Sequence, residues 1–230
     1  MAIYVATGKP GTGKSCWTAR VALSLLTRNK RYFDKTGVVR LVCSNLKFGE
    51  QVENYFGIYP NGLIKYWESP EQLVKVLDAD VVWDEIATHL DNTQWASLPL
   101  EVKRFLQQHR KRGIDIYGNT QDFAMVDISF RRLTAELYVL YKLVGSRSPS
   151  ATRPPIKKVW GIHIIRTIDI DSFEKENKHI SGWRFFWINR RLVDTFDTRQ
   201  EIKVGTYPPY KHIVRRCIDP KCDYERIIHQ

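Results

Sequence analysis

An α/β architecture, with a mostly parallel sheet flanked by helices and followed by a β-rich carboxyl-terminal extension, is predicted by three observations. Short apolar runs recur through the first two thirds of the chain, stretches with apolar residues at helical spacing separate several of them, and a glycine-rich turn joins the first run to the first such stretch. Residues 2–7 alternate and are rich in strand formers, residues 8–13 make the glycine-rich turn, and residues 14–26 carry the helical spacing. Residues 38–44 are almost continuously apolar apart from Arg40, the pattern of a strand covered on both faces. A turn-rich stretch with Pro60 and Asn61-Gly62 follows, then a short strand over 63–67 and a helix started by Ser69-Pro70, with Glu71 in its first turn. Residues 81–83 read as a third covered strand.

Residues 87–99 are polar and loop-like. A helix is predicted over 100–112, with Val102, Phe105, Leu106 and His109 on one face and Gly113 as its stop. Residues 114–118 form a further strand that runs into Asn119-Thr120-Gln121, and residues 135–143 another. From 145 to 155 the composition turns to Ser, Arg, Pro and Gly, an exposed connection. Beyond it, 157–170 and 184–188 read as strands with no helix between them. The expected organisation is therefore a core over residues 1–145, a linker over 146–155, and a β-rich extension over 156–230 that packs on the core or adds edge strands to its sheet.

A chain of 230 residues is long enough for one such domain with an appendage. Hydrophobic residues at 43% and seven tryptophans exclude a disordered chain. No stretch approaches the roughly 20 consecutive apolar residues that cross a bilayer, and residues 1–7 lead into the glycine-rich turn without the parts of a signal peptide. The reading is a soluble protein that stays in the cytoplasm where it is made. The four cysteines, Cys16, Cys43, Cys217 and Cys222, are few and unevenly spaced, which fits reduced thiols. Cys217 and Cys222, flanked by His212 and His229, leave a four-ligand zinc site open, with a plain terminal loop as the alternative. The net charge of +11 is spread along the chain and points either to a polyanionic partner, nucleic acid first, or to an evenly solvated basic surface.

Gly8-Lys9-Pro10-Gly11-Thr12-Gly13-Lys14-Ser15 matches G-x-x-x-x-G-K-S without a mismatch, and it lies between a strand and a helix. A phosphate cradle requires that placement, because successive backbone N–H groups and the positive helix N-terminus together wrap an anion. Lys14 is expected to reach the β- and γ-phosphates and the Ser15 hydroxyl to ligate magnesium. The implied ligands are ATP and Mg2+, held by the eight motif residues and by Cys16, which follows them. Val81-Val82-Trp83-Asp84-Glu85 supplies the other half. Asp84, at the end of a covered strand, is placed to hold the magnesium through water, and Glu85 to polarise an attacking water, with capping of the next segment as the alternative. Two acids in tandem favour hydrolysis over transfer to a small acceptor.

Gln121 ends the strand that follows Gly113 and reads as a γ-phosphate sensor, with Asn119 as its neighbouring candidate, or as a polar strand end facing water. Arg131 and Arg132 read either as an arginine finger donated to an adjoining subunit of a ring or as an ordinary surface pair. Lys103, Arg104, Arg110, Lys111 and Arg112, with Arg147, Arg153, Lys157 and Lys158, can track a phosphate backbone without reading sequence, or form a solvated face.

The glycine-rich loop, the Val-Val-Trp-Asp-Glu strand, Phe105-Leu106-Gln107-Gln108-His109-Arg110 leading through Gly113-Ile114-Asp115-Ile116 to Thr120-Gln121, and the late Phe196-Asp197-Thr198 together resemble the zonula occludens toxin-like family. That family includes the morphogenesis ATPases of filamentous phages and is related to the FtsK/HerA class of DNA-pumping motors. The resemblance covers most of the chain, and its more specific part is the His-Arg helix followed by the strand ending in Thr-Gln. It implies a P-loop NTPase with a RecA-like core that assembles as an oligomer, a hexameric ring, and acts on viral or phage DNA or on virion assembly. Carried over, Lys14 and Ser15 match the nucleotide loop, Asp84 and Glu85 the magnesium and water acids, and Gln121 the sensor. Filamentous-phage members continue into a membrane span and a periplasmic tail, which this sequence lacks, so the expectation is a motor of the host cytoplasm or the virion, with a capsid or assembly protein as a possible partner. The alternatives are an assembly or secretion ATPase that moves no nucleic acid and a small-molecule kinase.

Overall fold

The computed structural model describes residues 1–93, 95–145, 160–170, 180–193 and 195–196. The connection over 146–155, Arg147, Arg153, Lys157, Lys158 and the Cys217, Cys222, His212 and His229 group lie outside them, as do Asp197 and Thr198. In chain order the elements are β1 (Ile3–Thr7), α1 (Lys14–Thr36), β2 (Leu41–Ser44), α2 (Glu50–Phe56), β3 (Ile64–Tyr66), β4 (Ala79–Trp83), α3 (Ala87–Leu90), α4 (Leu100–Gln107), β5 (Asp115–Thr120), α5 (Ile128–Arg131), β6 (Glu136–Gly145), β7 (Trp160–Asp169), β8 (Ile180–Asn189) and α6 (Arg190–Val193). The strands form one eight-stranded sheet in the order β3-β2-β4-β5-β1-β6-β7-β8. The first six are parallel, and β7 and β8 continue the sheet as antiparallel neighbours.

Alternation along the strands feeds two layers of core. Ile3 and Val5 of β1 face the same side as Val81, Ile116 and Leu137, where Val102, Phe105 and Leu106 of α4 cover them. The other face is closed by α1, whose Ala22, Leu25 and Leu26 pack on Val42, Ile64 and Val82. Toward β8 the same helix brings Trp17 against Ala6, Tyr138, Leu140, Ile165, Phe186 and Ile188. Phe186 and Ile188 thus bind the hairpin of β7 and β8 to the helix, while Trp183, Phe185 and Trp187 at the intervening positions are exposed.

Several boundaries differ from the sequence reading. Helix α1 runs ten residues past its last periodic apolar position to Thr36, where Gly37 (φ 70°) donates its N–H to the Phe33 carbonyl. Polar contacts hold the added turns: Asn29 Nδ2 donates to the Arg40 carbonyl (3.1 Å) and to Asp80 (2.8 Å). Helix α4 ends at Gln107 instead of continuing to 112. Its exit is a series of turns in which Arg112 N bonds to Gln108 O and Ile114 N to His109 O. The helix expected from Ser69-Pro70 is one 3₁₀ turn, Pro70–Leu73. Helix α2 was not expected at all, because Val52 is its one buried residue and no apolar stripe marks it.

Candidate nucleotide site

One strand, β5, stands between β1 and β4, and their carboxyl ends lie level, with Thr7 beside Thr120 and Trp83 beside Gly118. The glycine-rich loop leaves β1 at this edge and turns into α1 at Gly13, which caps the helix in the left-handed region at φ 86°. A Cβ on Gly13 would stand 2.6 Å from Ile188 Cδ1, and one on Gly8 would stand 2.7 Å from the Leu140 carbonyl oxygen and 2.8 Å from Thr12 Oγ1. Strands β6 and β8 therefore press on the back of the loop and leave no room for side chains there. Within the loop, Thr12 Oγ1 donates to the Lys9 carbonyl (2.8 Å). No acidic residue lies in the first turn of α1, so the positive field of the helix terminus is undiminished. Lys14 is 8% exposed, and its ammonium donates to the Gly8 (2.8 Å) and Lys9 (3.3 Å) carbonyls. Burial pulls its pKa down, while Glu85 and Asp84 oppose that pull.

Asp84 follows β4 and is fixed from both sides of its main chain: its N–H donates to Asn45 Oδ1 (2.7 Å) and its carbonyl accepts from Asn45 Nδ2 (2.8 Å). Its carboxylate accepts from the Asn119 amide, and the Ser15 hydroxyl lies close enough to favour its charged form. Burial pushes the Asp84 carboxyl up, and Asn119, Ser15 and the Lys14 charge pull it part of the way back. Asn119 also donates to Thr18 Oγ1 (2.6 Å) and accepts from the Glu85 N–H (3.3 Å), so one buried amide orients α1, Asp84 and Glu85 together. Glu85 accepts from the Gln121 N–H (3.3 Å). Its pKa is raised by burial and by Asp84, against the lowering effects of Gln121 and Lys14. A cleft carboxylate with raised proton affinity is suited to take a proton from water.

The structure brings together Gly8 to Ser15, Asp84, Glu85, Asn119 and Gln121. The residues present fit a triphosphate with magnesium: a cradle with no room for a side chain at Gly8 or Gly13, set at a helix N-terminus, a buried lysine, and a hydroxyl beside a carboxylate, the oxygen donors a hard cation takes. Cys16 lies just inside α1 with its thiol pushed up to about 12, chiefly by burial, which leaves it packing rather than reacting. Arg131 and Arg132 are not near this edge. They precede β6, whose Glu136 pairs with Tyr4 at the start of β1, and so lie toward the amino ends of the strands. Part of the basic run at α4 is engaged locally: Lys103 donates to the Ala96 carbonyl (3.1 Å), and the Arg112 guanidinium donates to the Val74 carbonyl and lies over Phe105. Asn45 and Thr18 are site residues that the sequence reading missed. A polar residue just past the covered strand β2, one register position short of Asp84, is the signal that marks Asn45.

Among the described residues no helix is long and apolar enough to cross a membrane. No family model matches the sequence, and no curated protein matches it. Strand order, loop and paired acids define the P-loop NTPase fold. Among solved structures the chain is similar to the N-terminal domain of zonular occludens toxin from Neisseria meningitidis, at 18% identity over 85% of this chain and 98% of that one, with a TM-score of 0.45. It is similar also to the genome packaging NTPase B204 of Sulfolobus turreted icosahedral virus 2 in complex with AMP, at 12% identity over 78% of this chain and 96% of that one, TM-score 0.49. A third is the cytoplasmic domain of the Type VII secretion ATPase EccC from Thermomonospora curvata, at 10% identity over 78% of this chain and 23% of that one, TM-score 0.42.

Proposed function

We propose that the chain hydrolyses ATP to ADP and phosphate with Mg2+ and uses the reaction as a motor of viral or phage DNA packaging or translocation. The observation that carries the hydrolytic half is that one buried side chain, Asn119, ties the helix following the phosphate loop to Asp84 and Glu85. Magnesium, when bound, supplies charge neutralisation on the phosphate oxygens. Ser15 and Asp84 are its holders, Lys14 steadies the negative charge that grows on the departing phosphate, and Glu85 takes the proton of the attacking water. Gln121, tied to Glu85 through its main chain, is the residue to report the γ-phosphate.

The nucleic-acid half rests on the net charge of +11 and on the motif resemblance drawn from the sequence. Arg131 and Arg132 lie toward the sheet end away from their own loop, so an arginine-finger role for them is one toward a neighbouring subunit of a ring. Purified protein should hydrolyse ATP only with magnesium, and Lys14→Ala should lose nucleotide binding. Glu85→Gln should keep that binding but turn over about 10²–10⁴-fold more slowly. Hydrolysis by Glu85→Gln at the wild-type rate would remove Glu85 from the reaction. Stimulation by DNA that fades with salt is the expected sign of the motor, whereas a flat response would favour an assembly or secretion ATPase that moves no DNA.

A further inference from the structure

The phosphate loop is backed by a residue some 150 positions further along the chain. His163 of β7 is 3% exposed, with its ring against Phe186 (6.0 Å between centroids) and Lys142 as its register partner on β6. A Cβ built on Gly13 would lie 3.2 Å from His163 Cε1 and 3.4 Å from Nδ1, so the imidazole stands directly behind the helix cap. Nδ1 is buried without a partner in full hydrogen-bond geometry, and the main chain directed at the ring is that of Thr12. Burial lowers the pKa of the ring, and the Thr12 main chain works against that lowering, as a carbonyl does when an N–H is directed at it.

The Thr12 carbonyl and the Gly13 N–H belong to one planar trans peptide and point in opposite directions. Drawing the carbonyl back toward β7 therefore turns the Gly13 N–H forward, into the concavity of the loop. We infer that His163 is a positioning residue for the phosphate loop: Nδ1–H is the donor that the Thr12 carbonyl takes when the loop closes on a nucleotide, and that bond sets the direction of the Gly13 amide. The inference rests on the nucleotide reading above. A buried ring nitrogen without a partner is unfavourable, so a loop form that satisfies it, with the proton on Nδ1, is favoured over one that does not.

The test uses the full chain, with equilibrium titration of a fluorescent ATP analogue and magnesium, and thermal unfolding alongside. His163→Phe keeps a ring and removes the donor, whereas His163→Asn places an amide nitrogen close to the Nδ1 position. His163→Phe should bind about tenfold more weakly, the effect of one lost hydrogen bond, with an unchanged unfolding midpoint. His163→Asn should recover most of that loss. Equal affinity of His163→Phe and wild type, or equal weakening of the two variants, would overturn the role. The imidazole 15N spectrum of the wild type needs no variant: Nδ1 should move to its hydrogen-bonded position on adding nucleotide and magnesium, and a resonance that stays put would also overturn it. A wild type that binds no nucleotide would refute the ATPase reading itself, whereas normal binding with indifferent variants would refute only His163.

Discussion

Glu85 holds φ at 52°, a conformation that residues with side chains seldom adopt and that costs on the order of 1–3 kcal/mol unless its surroundings enforce it. The enforcement is visible: its N–H is taken by Asn119 Oδ1, the Ile86 N–H by the Asn119 carbonyl (2.7 Å), and its own carboxylate by the Gln121 N–H. Such a turn sends the Glu85 side chain toward β5 while Asp84 keeps to the loop, so that adjacent acids face different work. Asn119 is the common element, and at 1% exposure it has no solvent to replace its partners. Asn119→Ala would free the Asp84 carboxylate and the Glu85 turn together. We expect magnesium-dependent nucleotide affinity to fall about 10–100-fold, the usual consequence of removing a group that orients a ligating carboxylate. Titrating magnesium at fixed nucleotide measures this, and a magnesium requirement equal to that of wild type would show that Asp84 is held adequately by Asn45 and Ser15 alone.

The hairpin of β7 and β8 is the element that makes the loop's back wall, and it depends on α1 for its own support. Phe186 is 3% exposed, packs in the cluster with Trp17, and carries the Arg20 guanidinium over its ring at 5.4 Å. Phe186→Ala should therefore cost about 3 kcal/mol, toward the lower end for an aromatic removed from a core because the site lies at the sheet's edge. Chemical unfolding measures it, and a loss below about 1 kcal/mol would mean that the hairpin is anchored elsewhere. Local sequence carries the loop and its flanking elements because glycine requirements and strand patterning act over a few residues, and Asp84 and Glu85 are legible for the same reason. It carries neither the far end of α1 nor the short α2. The first is held by Asn29 reaching Asp80 and the second has one buried residue, so neither leaves a periodic apolar trace. Nor can it show that His163 and Ile188 stand behind Gly13, because that contact exists only once β8 has paired with β7 and β7 with β6.

Across the whole molecule the sheet has two unlike ends. At the carboxyl ends of the parallel strands, two acids with raised proton affinity and a turn of positive φ stand beside the glycine-rich loop. At the amino ends, Asp80 is fully buried and accepts from Arg40 (2.8 Å), Arg28 (2.8 Å) and Asn29 (2.8 Å), and Arg40 reaches on to Asp115 (3.1 Å). This network ties α1, the entry to β2, β4 and β5 into one unit. Burial by itself would push the Asp80 carboxyl up, but the bonds from Arg40 and Asn29 and the charges of Arg40 and Arg28 outweigh it and hold the carboxyl below its usual range. Asp80→Ala should cost about 3 kcal/mol at neutral pH, the low end for breaking a buried ion pair, since Arg28 and Arg40 keep some access to water. A carboxyl with a lowered folded-state pKa contributes stability above its unfolded value and loses it as pH falls through the folded one. The gap between wild type and variant should therefore stay level from pH 7 down to about 4 and narrow only below that. Unfolding curves across that range measure it, and a gap that already closes between pH 7 and 5 would mean that Asp80 is not held as a carboxylate by its cations.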